Sequence, residues 1–235
     1  MVWCSGWKLA SAVSAAGGLG VIGAGSMHPE TLTLHIRRLK ETTDRPFAVN
    51  LPLLYPETDL LIQILEEESV PVVITSAGNP AKWTTRLKSS GKKVLHVIAN
   101  PKFARKAEDA GVDAVIAEGF EAGGHNGKDE ITTLCLIPQV CNAVQIPVIA
   151  AGGIASGKAM LAAFALGATG IQVGTRFAAS LESSAHPAFK QAVLDAGADA
   201  TMLALKNLTP VRLLKNSFYD SVRQLEENGA SPEEL

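Results

Sequence analysis

Short runs of apolar and β-branched residues alternate along the chain with longer segments whose apolar residues recur three and four positions apart. The short runs predict strands, and there are seven: 19–23, 46–50, 71–75, 93–98, 113–118, 147–151 and 169–173. The longer segments predict helices, and two of them, 29–44 and 56–69, open with the Pro-Glu pair that favours a first helical turn. Such alternation is typical of repeated βα units around a parallel sheet, in one domain spanning residues 1–235.

The number of strands indicates which α/β fold is present. A closed (β/α)8 barrel has eight strands, whereas an open doubly wound sheet commonly has about five or six. Residues 5–16 have a helical pattern, but only "MVWC" precedes them. We therefore expect a (β/α)8 TIM barrel that lacks its first strand, with the seven runs as strands two to eight. Strands two and eight would then be unpaired edges, which favour aggregation or a partner.

The C-terminal tail, residues 208–235, has the apolar spacing of a long amphipathic helix with an acidic end. We expect this helical tail to pack on the barrel. A contact within a homodimer is the alternative.

Composition narrows the classes of partner. The chain is 47% hydrophobic and 19% charged, as expected of a well-filled core. Its 21 basic and 23 acidic residues leave no broad basic face for nucleic acid or anionic lipid, and no apolar run is long enough to span a membrane. The 3 cysteines form no C-x-x-C pair, which indicates reduced thiols in a cytoplasmic protein without a metal site.

Two glycine-containing loops, "AAGGIASGKA" and "VGTRF", follow the last two predicted strands. Barrels often bind phosphate at this place. Gly152 and Gly153 would let backbone N–H groups approach an anion, and Gly174 with Thr175 would add a second approach and a hydroxyl donor. Ser156 would cap the following helix. Each glycine could instead only shape a tight turn, but the two loops together favour a phosphate-bearing ligand.

The widest interval between predicted strands contains "EAGGHNG". In a barrel, a long loop at this rim often carries chemistry. Gly123 and Gly124 would let the chain pass beneath a flat ligand, and His125 would be the first side chain able to lean over it and exchange a proton near neutral pH. A solvated loop histidine is the alternative. Asn50 and Thr75 end two other strands, where polar groups would contact a ring.

Several segments resemble one enzyme family through nearly the whole chain. "EGFEAGGHNG", "PVIAAGGIASG" and "GIQVGTRF", with "AGGLGVIGAG", "PFAVNLPL" and "SAGNP", resemble the nitronate monooxygenase (2-nitropropane dioxygenase) family of FMN-dependent barrels. This family includes the FMN-dependent enoyl-(acyl carrier protein) reductase of fatty acid synthesis, to which "SAGNP" and "EAGGHNGK" are also similar. In the family a first strand precedes a Gly-Pro-Met or Gly-Gly-Met turn over the flavin, and this chain begins at that Met.

The resemblance implies FMN as the cofactor and His125 as the catalytic residue beside it. It also implies cofactor contacts, with the phosphate at the last four of them: Met1, Gly18, Gly20, Gly23, Asn50, Thr75, Glu118, Gly123, Gly124, Ala151, Gly152, Gly153, Gly174 and Thr175.

The expected activity is oxidation of a small alkyl nitronate by molecular oxygen, since the family takes its name from it and no feature of the chain requires a carrier protein. NAD(P)H-dependent reduction of an enoyl thioester is the first alternative. A flavin-free lyase or isomerase acting on a sugar phosphate, and a non-catalytic remnant, are the others.

Overall fold

The computed structural model of the chain describes residues 1, 3–206, 208–231 and 234. Its helices are α1 (Trp7–Ala15), α2 (Pro29–Thr42), α3 (Thr58–Glu67), α4 (Thr84–Ser89), α5 (Pro101–Asp109), α6 (Thr133–Cys141), α7 (Gly157–Ala165), α8 (Thr175–Ala178), α9 (Pro187–Leu194) and α10 (Ser217–Glu227), with a 3-10 turn at Pro80–Lys82. Within the described ranges, no helix is long and apolar enough to cross a membrane.

The strands are β1 (Gly20–Gly23), β2 (Phe47–Pro52), β3 (Val72–Ser76), β4 (Lys93–Ile98), β5 (Ala114–Glu118), β6 (Gly124–His125), β7 (Val148–Ala151), β8 (Gly170–Gln172), β9 (Thr201–Ala204) and β10 (Val211–Leu214). Seven of them form a parallel sheet in the order β1-β2-β3-β4-β5-β7-β8. These seven correspond to the seven predicted runs, so the parallel βα-barrel prediction is confirmed. In the described part of the chain, no strand bridges β1 and β8, which are the edges of the sheet.

Alternate side chains along the parallel strands form two layers, because successive residues of a strand point to opposite faces. The inner layer contains small and branched residues, namely Ala48, Ile74, Leu95, Ala114, Ile116 and Ala151. The outer layer packs against the helices and includes Ile22, Val49 and Val115. Asn50, near the end of β2, and Glu118, the last residue of β5, each lie two positions beyond an inner residue and therefore point inward.

The helix that follows β7 begins as the sequence predicts. Ser156 is the residue before α7, and its hydroxyl accepts a hydrogen bond from the Ala159 amide at 3.2 Å. This bond satisfies one of the amides that a first helical turn leaves without a partner. The cap therefore fixes where the loop after β7 ends and α7 starts.

The prediction of one long helix over the C-terminal tail is wrong for its first part. β9 and β10 form an antiparallel hairpin, and β10 also pairs with β6, giving a second sheet in the order β6-β10-β9. In the described part of this tail only α10 is helical, and its Asn216 cap accepts a hydrogen bond from Tyr219 at 2.9 Å. Because β10 is paired on both sides, its backbone N–H and C=O groups find partners in the sheet. This pairing outweighs the helical spacing of the local sequence. We call residues 201–227 the C-terminal unit.

Candidate active site

Three loops meet at the end of the sheet where the parallel strands terminate. A Cβ atom placed on Gly123 would lie 3.8 Å from Oγ1 of Thr175, and one on Gly174 would lie 3.8 Å from Sδ of Met1. A Cβ on Gly23 would lie only 2.9 Å from the Met1 carbonyl oxygen. These five residues therefore form one continuous surface, which we call the glycine rim.

The loop after β7 packs against the loop after β5. The hydroxyl of Thr133 donates to the Gly152 carbonyl at 2.9 Å, and a Cβ on Gly152 would lie 2.7 Å from the Gly119 carbonyl oxygen. Gly152 and Gly153 have φ angles of +94° and +68°, which favour glycine. The Glu121 carboxylate accepts a hydrogen bond from the Thr133 amide at 2.8 Å, and the Thr133 hydroxyl oxygen also lies 2.8 Å from this carboxylate. The proposed phosphate loop and the loop of His125 are thus neighbours.

His125 lies in β6, directly opposite Val211 of β10. Its side chain is exposed, and among the described residues no hydrogen bond engages its imidazole. The preceding Gly124 has a φ angle of +87°, and a Cβ placed there would meet nothing within 4 Å. The imidazole is therefore accessible to a ligand, on a loop that adjoins the glycine rim.

Polar groups line the interior just below this end of the sheet. Nδ2 of Asn50 donates to the Ile74 carbonyl at 3.1 Å and lies 3.3 Å from Oγ of Ser76, which leaves the Asn50 side-chain oxygen available to a ligand. Glu118 is half-buried, and burial raises the pKa of its carboxyl to about 7, although attraction to the N-terminal amino group opposes this. Near neutral pH the Glu118 carboxyl can thus exist in either protonation state.

Thr75 does not face this interior. Its side chain is buried in the outer layer, and its hydroxyl lies 2.7 Å from Nδ1 of His96 and 3.2 Å from the Leu95 carbonyl oxygen. Burial, with a smaller effect of Lys106, lowers the pKa of His96 to about 4, so this ring is neutral at pH 7. The prediction of Thr75 as a cofactor contact can therefore hold only for its backbone.

The structure contradicts the prediction for Gly18 and Gly20. Gly20 opens β1, at the opposite end of the strand from Gly23, and Gly18 lies in the turn before it. A Cβ on Gly20 would lie 1.8 Å from the Ala10 carbonyl oxygen, and one on Gly18 would lie 3.0 Å from Cγ1 of Val13. Both positions need glycine because helix α1 packs closely against them, and neither reaches the glycine rim.

Two features near the site were not predicted from the sequence. The Arg212 guanidinium of the C-terminal unit donates from Nε and Nη2 to the Phe120 carbonyl at 3.2 and 3.1 Å. Gln172 ends β8 in register with the inner residue Ala151, so it faces the interior. The alternation of side chains along β8 could have indicated that Gln172 faces inward. For Arg212 the local sequence offers only the strand-like "VRLL" after Thr-Pro.

The residues of this site fall within a match to one protein-family model. The model of the nitronate monooxygenase family matches residues 1–61 and 58–234 of the chain. The chain belongs to this family. Its members therefore provide the comparison for the glycine rim and for the loop that carries His125.

Three relatives illustrate the range of the nitronate monooxygenase family. The (3aS,4S,5R,7aS)-5-hydroxy-7a-methyl-1-oxo-octahydro-1H-indene-4-carboxyl-CoA dehydrogenase of Mycobacterium tuberculosis is 35% identical, over 94% of this chain and 63% of its own length. FabK from Thermotoga maritima is 48% identical with a TM-score of 0.93, over 97% of this chain and 74% of its own. A nitroalkane oxidase from Streptomyces ansochromogenes is 34% identical with a TM-score of 0.85, over 97% and 76%.

The chain thus spans less than two thirds of the length of the CoA dehydrogenase. The resemblance to the nitronate monooxygenase family, including the FabK branch, is confirmed.

Proposed function

We propose that this chain forms an FMN-dependent oxidoreductase site, with the reaction taking place at the glycine rim beside His125. The observation that carries the proposal is the continuity of this surface. Gly123, two residues before His125, adjoins Thr175, and the loop of Gly152 and Gly153 packs on the same side. A flat cofactor with a phosphate at one end matches a surface of this kind.

The residues present fit FMN. Backbone N–H groups at Gly153 and Gly174 would hold its phosphate, with the Thr175 hydroxyl as a further donor. Asn50 would offer its side-chain oxygen to an edge of the ring, and a Cβ at Gly123 or Gly174 would fill space between neighbouring loops of the rim. When bound, FMN supplies the hydride-transfer chemistry of the site.

His125 would act at the acyl group of the substrate. An imidazolium on this loop can donate a hydrogen bond to a thioester carbonyl oxygen and stabilise the negative charge that develops there. It can also supply the proton that the α-carbon takes up. General acid catalysis of this kind is typically worth about 10²- to 10⁴-fold in rate.

The substrate class that we propose is an enoyl thioester, reduced with NADH or NADPH. The family name alone favours nitronate oxidation, but the relatives favour the opposite order. FabK, the enoyl-reductase branch named above, is 48% identical, whereas the nitroalkane oxidase is 34% identical. The CoA dehydrogenase, 35% identical, also carries a thioester in the name of its substrate.

Anaerobic mixing with separate substrates tests this proposal. The protein, purified with excess FMN, is mixed with NADH or NADPH and then with crotonyl-CoA, and in parallel with propionate 3-nitronate. We expect bleaching of the flavin absorbance by a reduced nicotinamide, recovery on adding the enoyl thioester, and about a 10²-fold slower recovery in His125→Ala. His28→Ala is the matched control, because His28 is exposed and its side chain does not cap α2.

Two results would contradict the proposal. Bleaching by the nitronate but not by either nicotinamide would make nitronate oxidation the function, which the family match supports as the second candidate. A protein that retains no flavin absorbance after purification with excess FMN would favour the flavin-free barrel.

A further inference from the structure

We propose that Arg212 is a positioning residue for His125. Its guanidinium holds the C-terminal unit on the loop that follows β5, and this contact sets the orientation of the imidazole over the glycine rim. The catalytic part of this inference rests on the proposed function. The structural part does not, because it concerns only how the loop is held.

The backbone of His125 is built onto the C-terminal unit. In the antiparallel pairing of β6 and β10, His125 lies opposite Val211 and Gly124 lies opposite Arg212. The amide of the next residue, Asn126, donates to the Pro210 carbonyl at 2.8 Å. The place of the imidazole therefore depends on where β10 lies, as well as on the parallel barrel.

Arg212 ties β10 to the start of the same loop. Its Nε and Nη2 atoms donate to one acceptor, the Phe120 carbonyl, at 3.2 and 3.1 Å, and the guanidinium carbon lies 4.6 Å from the Phe120 ring centroid. Hydrogen bonds from an ionised donor are stronger than neutral ones, and the aromatic ring adds a cation–π attraction. Because its backbone also pairs with Gly124, this one residue engages the loop at two points.

Upstream, the Thr133 amide anchors the Glu121 carboxylate at 2.8 Å, but the segment from Gly123 to His125 has little packing of its own that could replace the Arg212 contact. Gly123 and His125 are exposed, and Gly124 offers no side chain. Side-chain Nδ2 of Asn126 bonds the carbonyls of Ala122 and Gly124 at 2.8 and 3.0 Å, but these bonds lie within the loop. Two successive glycines cost more conformational entropy to order than other residues. The ordering must therefore come largely from an external contact.

The C-terminal unit can provide a fixed point of attachment. Its residues Ala204, Tyr219 and Val222 form a small buried cluster of their own, so the hairpin and α10 move together. A second link, the ion pair of Lys206 with Glu130 at 2.7 Å, is solvent-exposed and contributes little to stability. Of these two links between the C-terminal unit and the segment after β5, the contact of Arg212 with Phe120 is thus the stronger one.

Three arginine variants test this role. Arg212→Met keeps an apolar stem without donors, and Arg212→Lys keeps the charge without the paired donors. Arg223→Met is the matched control, because Arg223 is exposed on α10 and, among the described residues, pairs only across one helical turn, with Glu227 at 3.5 Å. Each variant is made both in the parent protein and in the His125→Ala background. For every protein, kcat and KM are measured with NADH and crotonyl-CoA.

We expect Arg212→Met to lower kcat about 10-fold and Arg212→Lys to lower it less, with FMN affinity unchanged within about twofold. In the His125→Ala background, Arg212→Met should cause no further loss of kcat, since its effect passes through the imidazole. Arg223→Met should match the parent protein in both backgrounds. A full 10-fold loss that persists in His125→Ala would overturn the inference.

Amide hydrogen exchange gives a readout that needs no activity. Peptides covering residues 119–127 should exchange faster in Arg212→Met than in Arg223→Met, while peptides of β2 to β4 stay unchanged. If no substrate turns over, the proposed function fails and this exchange result still decides the role of Arg212. Should Arg212→Met not fold, Arg212→Lys carries the test. Parent-like exchange with parent-like kcat would then refute the positioning role.

Discussion

Replacing Glu118 with glutamine is expected to stabilise the protein near neutral pH. Glu118 ends β5, points into the barrel and is half-buried. Burial raises the pKa of its carboxyl from the ordinary value of 4.5 to about 7, against the opposing attraction of the N-terminal amino group. Between these two values, the folded protein holds a proton that the unfolded chain has already released.

The sign and size of the effect follow from this difference in proton binding. Because the folded state binds more protons, the free energy of unfolding falls as pH rises from 4.5 to about 7, and the cost remains at higher pH. One pH unit corresponds to about 1.4 kcal/mol, so the full cost of ionising Glu118 is about 3 kcal/mol. Glutamine keeps the shape of the side chain and carries no such cost.

Urea unfolding of both proteins at several pH values between about 5 and about 8 measures this effect. We expect the stability advantage of Glu118→Gln over the parent protein to grow by about 2 to 3 kcal/mol from the lowest to the highest pH of this range. His96, whose pKa burial lowers to about 4, destabilises both proteins as pH falls from 6.5 and cancels in the comparison. A stability difference that stays constant over the range within about 0.5 kcal/mol would refute the reasoning.

Two further pairs of substitutions test the packing of the parallel barrel. Gly20→Ala should destabilise the fold by at least about 3 kcal/mol in urea unfolding, because the added Cβ would lie 1.8 Å from the Ala10 carbonyl oxygen. Gly157→Ala, whose Cβ meets nothing within 4 Å, should change stability by less than about 1 kcal/mol, and equal effects would contradict the account. Thr75→Val should cost about 1 to 3 kcal/mol by leaving Nδ1 of His96 without its partner, and Thr75→Ser should restore most of that.

The parallel strands could be predicted because they are buried on both faces. Such strands appear as short, nearly continuous apolar runs, whatever their neighbours are. The hairpin of β9 and β10 could not be found in this way, because β10 depends on pairing with β6, about 90 residues earlier in the chain. The contact of Arg212 with Phe120 is hidden for the same reason.

The candidate site was predictable only in part. Glycines required by a helix, such as Gly20 against α1, look the same in a sequence as glycines that border a ligand surface, such as Gly123. Asn50 and Thr75 both lie near the ends of strands, yet they face opposite sides of the sheet. A strand residue faces the interior when it lies an even number of positions from another inward-facing residue of the same strand. The sequence alone does not show which residues face inward.

A crystal structure of the protein with bound FMN tests the central claim most directly. We predict the phosphate at the backbone amides of Gly153 and Gly174, the ring over the glycine rim, and the His125 imidazole facing that ring. A phosphate bound elsewhere, or an imidazole turned to bulk solvent with no room for a substrate beside the ring, would contradict the account.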